Sequence, residues 1–479
     1  MASQLNPNEA QAQPSKNFFV NMLVRDIELT DSLLDLLDNC VDGILRNTDP
    51  NFNDPEPYKG YWANFVIGPD HFELEDNCGG IPIELARTKA FAIGKPDRIT
   101  GDDGRATVGM YGIGMKRAIF KLGRQASVRS WSDTPLEVTI SPEWLDSDEW
   151  SALPLKTLDP SEFQNHGTKI SINQLNSAIA NEFDRSDFAS VFSRRISSIY
   201  ALIIAKGFSV TIRRSASEAL PAPVQAKPFF LLSSASAEDE SESIAPIVYK
   251  GQLHGVDIEL YAGIYRKLPS LDEQEADEQG KNRSDESGWT VACNDRVVID
   301  KDKTWITGWG EASVPNFHNQ FIAISGLVLL SSEDPHNLPL TTTKRGVDHG
   351  TAIYSLVKDM MREATKKLTQ FTYKWKKSEA DLADLYRTET TLVPLEQLRT
   401  RGAALPMRAW SKDPAVRTYV PRLPTPKQDA PNARVSFVAD KADVRKLALV
   451  YFEDEKASAK DVGQRAFLEE LNHYAEAAE

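Results

Sequence analysis

One segment near the start of the chain combines a helical pattern with a concentration of acidic groups. Between Thr30 and Arg46 apolar residues recur at helical spacing, and no proline interrupts them. Four polar residues stand at i, i+3, i+4 and i+7 of this segment: Asp35, Asp38, Asn39 and Asp42. The spacing predicts that they line one face of a helix. Crowded carboxylates repel one another unless a cation is near, so the face suits Mg²⁺; an ordinary acidic solvent face is the alternative.

A tight turn is predicted after the strand-like segment 72–75. Asp76 opens it, and Gly79 and Gly80 supply backbone dihedrals that other residues resist. A carboxylate held at such a turn can accept a hydrogen bond from the exocyclic amine of adenine. Alone the motif is weak, because the same residues are common in purely structural turns.

A third segment carries glycines at 109, 112 and 114 and then continues as a predicted helix over 115–122. Glycines let the backbone approach a ligand, and the amino end of a helix favours an anion. Lys116 and Arg117 add positive charge there. The pattern is neither a Walker A loop nor a dinucleotide fingerprint. By itself it is equally typical of a flexible loop.

In this order, the three segments resemble the N-box, the Asp-x-Gly-x-Gly box and the glycine-rich lid of the GHKL ATPases. That family includes gyrase B, the large heat-shock chaperone, histidine kinases, MutL and the MORC proteins. Segment 165–172 resembles the family's last nucleotide motif, and 293–298 the Asn-x-Arg strand of MutL-type second domains. Segment 338–344 resembles the loop with a γ-phosphate lysine. The resemblance covers about residues 15–375 and is closest to MORC-like or heat-shock-chaperone-like proteins of prokaryotes.

The resemblance implies a site for ATP and Mg²⁺. Asn39 would coordinate Mg²⁺, Asp76 would pair with adenine, and Thr168 would lie near the adenine through a water. The turn and the lid would supply the remaining ATP-binding residues: Gly80, Ile81, Gly109, Tyr111, Gly112, Ile113, Gly114, Met115 and Lys116. Asp35 would act as the general base, and Lys344 would reach from the second domain to the γ-phosphate.

The chain departs from the family pattern at two positions. The family's base is usually a glutamate, so Asp35 is one methylene shorter, and a misplacement of about 1 Å can cost on the order of a hundredfold in rate. We therefore expect slow hydrolysis by Asp35, unless another acid such as Glu28 or Asp31 substitutes. Cys78 stands where the first glycine of the second box is expected.

The predicted fold class is α/β (α+β), with several domains in 479 residues. A GHKL (Bergerat) ATP-binding sandwich and a second α/β transducer domain would be followed by a small C-terminal domain. The predicted boundaries are a disordered arm at 1–16, the ATP-binding domain at 17–215, a linker at 216–246, the transducer at 247–400, a proline-containing linker at 401–432 and the C-terminal domain at 433–479. Helices are expected at 192–200, 352–376 and 462–478, and strands at 208–212, 247–249, 256–265, 289–299, 321–330 and 434–439.

Composition narrows the classes of function. A formal net charge of −14 argues against a broad nucleic-acid surface. The three cysteines, Cys40, Cys78 and Cys293, are too few and too scattered for a disulfide framework or a zinc site, which fits a reducing cytoplasm. No apolar run is long enough to span a bilayer, and no signal peptide is expected in residues 1–16. We expect a cytoplasmic protein without a membrane partner.

These features lead to one leading hypothesis and two alternatives. The leading one is a slow Mg-ATP hydrolase that acts as a nucleotide-driven conformational switch and, as the resemblance implies, closes into a homodimer when ATP binds. A non-hydrolysing ATP sensor is the first alternative. A GHKL kinase is less favoured, because no helix with a phospho-accepting histidine precedes the ATP motifs. A nucleic acid or a protein client is compatible with any of them.

Overall fold

The computed structural model describes residues 15–25, 27–47, 54–92, 113–234, 242–270, 273, 286–341, 344–376, 385–386, 390–426, 435 and 438–477. The chain divides into two compact units, Met1–Pro426 and Lys427–Glu479. The described residues form a mixed α and β structure with twelve helices and three sheets. The predicted disordered arm lies, except for its last two residues, outside the described residues, as do Gly109, Tyr111 and Gly112 of the predicted lid.

A seven-stranded sheet occupies the first half of the larger unit. Its strands are β1 (Trp62–Ile67), β2 (His71–Asp76), β3 (Gly123–Trp131), β4 (Leu136–Ile140), β5 (Leu155–Thr157), β6 (Gly167–Leu175) and β7 (Ser209–Arg213). The strand order is β5-β4-β3-β6-β2-β1-β7. The β1–β7 pair is parallel, and the other described pairs of this sheet are antiparallel.

Among its described residues, this half of the larger unit has eight helices. They are α1 (Lys16–Arg25), α2 (Leu29–Asn47), α3 (Ile83–Leu85), α4 (Gly114–Leu122), α5 (Pro142–Asp146), α6 (Ser177–Asp184), α7 (Phe188–Ile199) and α8 (Ala201–Ala205). A π-helical turn, Ala86–Ala90, follows α3. The apolar side of α2 is fully buried at Leu33, Leu37 and Val41, in the same core as β1 and α7. This burial holds α2 in place and leaves its polar residues to contact other elements.

A second seven-stranded sheet forms the rest of the larger unit. Its strands are β9 (Ile247–Leu253), β10 (Val256–Ile264), β11 (Gly288–Cys293), β12 (Arg296–Asp302), β13 (Ile324–Ser331), β15 (Arg408–Ala409) and β16 (Val416–Tyr419), in the order β12-β11-β13-β10-β9-β16-β15. The helix predicted at 352–376 is confirmed as α9 (Ala352–Lys376). It packs on this sheet, where the Trp289 indole N–H donates to Thr365 Oγ1 at 3.0 Å.

Three sequence predictions are corrected in this half. The expected single strand 289–299 is a hairpin, β11 and β12, because Asn294 and Asp295 turn the chain with φ of 46° and 65°. The expected linker 216–246 contains β8 (Phe230–Ser234), which pairs with β14 (Thr390–Pro394). The expected linker 401–432 contains the end of α10 (Leu395–Ala404) and the strands β15 and β16, of which β16 pairs with β9.

The smaller unit contains two helices, α11 (Lys441–Phe452) and α12 (Ala459–Ala477), which contact each other. The second corresponds to the helix predicted at 462–478. The first was not predicted, and most of the expected strand 434–439 lies outside the described residues. Nowhere in the described parts of the chain is a helix both long enough and apolar enough to cross a membrane.

The apolar core between the second sheet and α9 should tolerate no side chain at Gly326. A Cβ at this position of β13 would lie 2.4 Å from the ring of the buried Trp289. We expect Gly326→Ala to lower the free energy of unfolding by about 1–3 kcal/mol through overpacking, measured by chemical denaturation. Gly346→Ala is the control, since no atom lies within 4 Å of that Cβ position. Equal stability of the two variants would contradict this packing.

Candidate functional site

Helix α2 carries the predicted acidic stripe, and its four polar residues face different surroundings. Asp35 and Asp38 are buried, at 5% and 0% exposure. Asp42 is partly buried, whereas Asn39 is exposed. The stripe is therefore not an ordinary solvated acidic face, which was the alternative interpretation of the sequence.

Asp35 faces α4. Its Oδ2 accepts a hydrogen bond from Arg117 Nη2 at 2.5 Å, and the two side chains form a largely buried ion pair. The helices approach closely because Gly114 has no side chain: a Cβ there would lie 3.3 Å from the Asp35 Cβ. The predicted general base is thus a carboxylate held by a guanidinium group.

Asp38 faces the second half of the larger unit. Its carboxylate accepts hydrogen bonds from Arg296 Nε at 2.6 Å and from Lys344 Nζ at 2.7 Å. The Tyr200 hydroxyl, between α7 and α8 in the first half, donates to the same carboxylate. Burial alone would raise the pKa of Asp38, but the charges of Arg296 and Lys344 outweigh burial and lower it. We call Asp38, Tyr200, Arg296 and Lys344 the Asp38 cluster.

These contacts correct one step of the sequence argument. Repulsion among the α2 carboxylates was expected to require a divalent metal. The protein's own cations already neutralise Asp35 and Asp38: Arg117 for the first, and Arg296 with Lys344 for the second. Lys344 does reach α2 from the second half, as predicted, although the group that it contacts there is Asp38. Its contact with a γ-phosphate stays a prediction.

The turn after β2 has the tight geometry that its glycines predicted. Gly79 and Gly80 have φ of 92° and 70°. A Cβ at Gly80 would lie 2.2 Å from the carbonyl oxygen of Trp131, so neither the dihedral nor the space admits a side chain. Gly167 opens β6 beside this turn, and a Cβ there would lie 1.9 Å from the Asp76 carbonyl oxygen. The predicted second and last motifs are therefore in direct contact.

The carboxyl group of Asp76 is enclosed by three donors. Its Oδ1 accepts from the backbone N–H of Cys78 at 2.8 Å and of Thr168 at 3.3 Å, and its Oδ2 lies 3.5 Å from Cys40 Sγ. The residue as a whole is partly exposed, but the carboxyl group itself lies within the protein. Burial raises the pKa of Asp76 to about 6, against these hydrogen bonds, which lower it. Near neutral pH the site holds a buried negative charge.

Two thiols lie beneath this turn. Cys40 of α2 and Cys78 are buried and reduced; Cys40 Sγ lies 3.5 Å from the Leu36 carbonyl oxygen, and Cys78 Sγ lies 3.8 Å from that of Trp62. Cys78 therefore fits the position of the expected glycine. Burial raises the pKa of the Cys78 thiol to about 11, and that of Cys40 is raised well above its ordinary value by Cys78 and by burial. Both thiols are protonated at neutral pH, so no thiolate competes with Asp76 for a ligand's donors.

A hydroxyl pair joins Thr168 to the turn. Thr168 Oγ1 and Ser130 Oγ are 2.8 Å apart, and Ser130 Oγ accepts the backbone N–H of Ile81 at 2.8 Å. Ser130 was not predicted from the sequence, since a serine within a strand carries no signal of its own. Arg296 and Tyr200 were given no role either, although Arg296 lies within the Asn-x-Arg segment.

The start of α4 accounts for the described part of the predicted lid. Ile113 precedes the helix, Gly114 and Met115 begin it, and among the described residues no side-chain hydrogen bond caps its amino end. Lys116 was expected to add charge there, but its ammonium group is buried and donates to the carbonyl oxygens of Ala90 and Ala92 at 2.9 and 2.6 Å. Lys116 thus fixes the π-helical turn. The backbone amides remain the phosphate-binding groups that the sequence predicts here.

Mg²⁺ fits this site only in one manner. No group of three or more His, Cys, Asp or Glu side chains in the described ranges could hold a metal ion. Asn39 is exposed on α2 between Asp35 and Asp42 and offers an amide oxygen. Mg²⁺ commonly binds through one or two protein oxygens together with substrate phosphates, so a site based on Asn39 suits Mg²⁺ and no tighter protein cage is present in the described residues.

Asp31, one of the two alternative bases, is held by an arginine, as Asp35 is. It forms an ion pair of 2.6 Å with Arg345. Burial raises the pKa of Asp31, partly offset by Arg345 and Arg195. Together with Lys344 and Arg296, these residues line a cavity of about 580 Å³ between α2, α7 and β12. Glu28, the other alternative base, is exposed.

No family model matches the chain, and no curated protein matches it significantly.

The Asp38 cluster should dominate the attachment of the two halves. Asp38→Asn leaves Arg296 and Lys344 without their carboxylate, and breaking such a buried pair costs about 3–5 kcal/mol. We expect a loss of this size in the free energy of unfolding by chemical denaturation. Asp146→Asn is the control, because its pair with Arg124 is exposed and is worth about 0–1 kcal/mol. A loss no greater than the control's would show that the cluster does not hold the halves together.

Ionisation of Asp76 should lower the free energy of unfolding as pH rises. Its folded pKa of about 6 exceeds the ordinary value of 3.8, so the folded state binds the proton more tightly. Stability is then lost as pH rises through this interval. Asp76→Asn keeps acceptors for Cys78 and Thr168 and removes the charge. We expect it to be more stable than wild type by about 1–3 kcal/mol at pH 8, with the difference vanishing near pH 4.

Thermal unfolding across this pH range measures the Asp76 effect. Glu84→Gln, an exposed acid in α3, is the control and should show no such difference. An Asp76→Asn variant that is less stable than wild type at pH 8 would contradict the assignment of a costly buried charge.

Proposed function

We propose that this chain is a GHKL-type ATPase with a Bergerat-like nucleotide site, which hydrolyses Mg-ATP slowly. One observation carries the proposal. Helix α2 contacts three of the other segments that the sequence assigns to the nucleotide. Cys40 lies 3.5 Å from Asp76, Asp35 lies 2.5 Å from Arg117 at the start of α4, and Asp38 lies 2.7 Å from Lys344. Lys344, which contacts α2, is 306 positions away from Asp38 in the sequence.

Adenine recognition is assigned to Asp76. Its buried carboxylate accepts the exocyclic amine, and the contacts to Cys78, Thr168 and Cys40 fix its orientation. Gly80 and Ile81 bring the backbone of the turn against the base. A rigid, desolvated acceptor discriminates strongly against a base that lacks the matching donor, because the carboxylate would then remain unpaired.

The phosphates are assigned to the amino end of α4. The amino end of a helix favours an anion, and the sequence carries glycines at 109, 112 and 114 at this helix start. Mg²⁺, held by the Asn39 amide oxygen, would screen the phosphate charge. The glycine at 114 also brings this helix end next to Asp35.

Hydrolysis is assigned to Asp35. Its carboxylate accepts a proton from water, whose oxygen attacks the terminal phosphorus while the bond to the β-phosphate oxygen breaks, and the proton then passes to solvent. The pair with Arg117 occupies one oxygen of the carboxylate, and the side chain is short. Both features support a slow reaction.

Lys344 links the nucleotide to the second half of the larger unit. It comes from the loop after β13, and its backbone carbonyl accepts a hydrogen bond from Arg296 Nη1 at 2.9 Å. A γ-phosphate near α2 would compete with Asp38 for the lysine and so alter the attachment of the two halves. We extend the proposal to an ATP-dependent homodimer, by resemblance alone.

A non-hydrolysing ATP sensor is the second candidate. The observation that favours it is the buried Asp35–Arg117 pair, which occupies the proposed base. Such a protein would bind ATP and change the attachment of its halves without turnover.

Calorimetry and phosphate release test the function. We expect Mg-ATP to bind wild type, with GTP much weaker, and phosphate to be released slowly. Asp76→Asn should weaken ATP binding by about a hundredfold or more, since a mismatched buried polar group is costly. Asp35→Asn should retain binding and lose turnover.

Asp146→Asn, far from α2 in sequence and exposed, is the matched control and should behave as wild type. Binding without phosphate release would favour the sensor. An absence of heat on titration of Mg-ATP into wild type would refute both candidates.

A further inference from the structure

We propose that Arg117 is a positioning residue that bridges the base and the terminal phosphate: one arm of its guanidinium holds Asp35, and its remaining donors contact the phosphate. This inference rests on the proposed function and adds a residue to which the GHKL resemblance assigned no role. It concerns the ion pair between Asp35 of α2 and Arg117 of α4.

The geometry of Arg117 leaves donors available. A guanidinium has five N–H donors, and Asp35 Oδ2 takes one of them, from Nη2. The Nε atom is buried and has no hydrogen-bond partner among the residues that the structure describes. A buried donor without a partner is costly, so a second acceptor at this point would be favourable. The side chain is 15% exposed, so a ligand can reach it.

The charges at this place also require a cation. The base and the terminal phosphate are both anionic, and the base must lie within reach of the water that attacks the phosphate. Two nearby cations are engaged elsewhere, since Lys116 donates to the carbonyl oxygens of Ala90 and Ala92 and Arg296 binds Asp38. Lys344, which the proposed function also assigns to the terminal phosphate, pairs with Asp38 and not with Asp35. Arg117 is the cation on α4 that pairs with Asp35 itself.

The shortness of Asp35 gives the bridge a further purpose. A glutamate could reach the water by extending its side chain, whereas Asp35 depends on exact placement. The hydrogen bond from Arg117 fixes its rotamer, and Gly114 lets α4 come close enough for that bond. Because Arg117 lies in the first turn of α4, the same helix end would position both the phosphates and the base.

The test compares ATP with ADP, which lacks the terminal phosphate. Calorimetry gives the ratio of the two affinities in wild type, Arg117→Lys, Arg117→Met, Asp35→Asn and the double variant Asp35→Asn/Arg117→Met. The double variant leaves no buried carboxylate unpaired, so it can fold even if Arg117→Met does not. Thermal melting and ADP binding report folding. Arg124→Met, at an exposed Arg–Asp pair on β3, is the matched control.

We expect Arg117→Met and the double variant to lose about tenfold in ATP affinity, with ADP affinity within about twofold of wild type. Asp35→Asn should keep the wild-type preference for ATP. The kcat of Arg117→Met should fall by about a hundredfold, and Arg117→Lys should recover part of it, because a point charge replaces only part of a guanidinium. Arg124→Met should match wild type.

The inference fails if Asp35→Asn and the double variant prefer ATP over ADP to the same degree, or if Arg117→Met retains the wild-type kcat. In either case wild type would still bind and hydrolyse ATP, so the proposed function would stand. The absence of ATP binding by wild type would instead remove the proposed function, and the inference with it.

Discussion

The buried carboxylate of Asp38 is the interaction on which the arrangement of the larger unit depends. It lies on a helix fixed by the first core, and both of its cationic partners come from the second half. A fully buried charge is tolerated only when such partners surround it. These ion pairs hold β12 and the Lys344 loop against α2, alongside the apolar core that Val297 of β12 shares with α2 and α7. A second pair, between Asp31 and Arg345, lies two helical turns away on the same helix and reinforces that placement.

Other polar residues of α2 each contact a different neighbouring element. Asp35 receives Arg117 from α4, and the Cys40 thiol meets Asp76 at the end of β2. The apolar side of α2 packs in the core, and Asn39 is exposed. The polar contacts of Asp35 and Cys40 therefore fix the side chains of Arg117 and Asp76 beside α2. A ligand that binds there would touch groups whose orientation is already set, which lowers the entropy cost of binding.

The sequence predicted the elements that depend on neighbouring residues alone. The helix predicted at 352–376 has the bounds of α9, and the tight Asp76 turn was predicted from its glycines. Residues 294 and 295 misled the prediction, because a left-handed turn of Asn-Asp can interrupt a run of strand-forming residues. β15 and β16 were missed because their pairing partner β9 is remote in sequence. For the candidate site, residue types and motif order singled out Asp35 and Asp76, and the resemblance singled out Lys344. No local signal could show that Lys344 contacts Asp38 or that Arg117 contacts Asp35.

The thiol pair under the Asp76 turn offers an intrinsic reporter of local opening. Cys40 and Cys78 are enclosed and protonated, so an alkylating reagent can react only when the turn lifts from α2 and the thiols meet solvent. Their labelling rate would therefore count these openings directly. Any molecule that seals the turn against the helix would slow the chemistry of two sulfur atoms that it never touches.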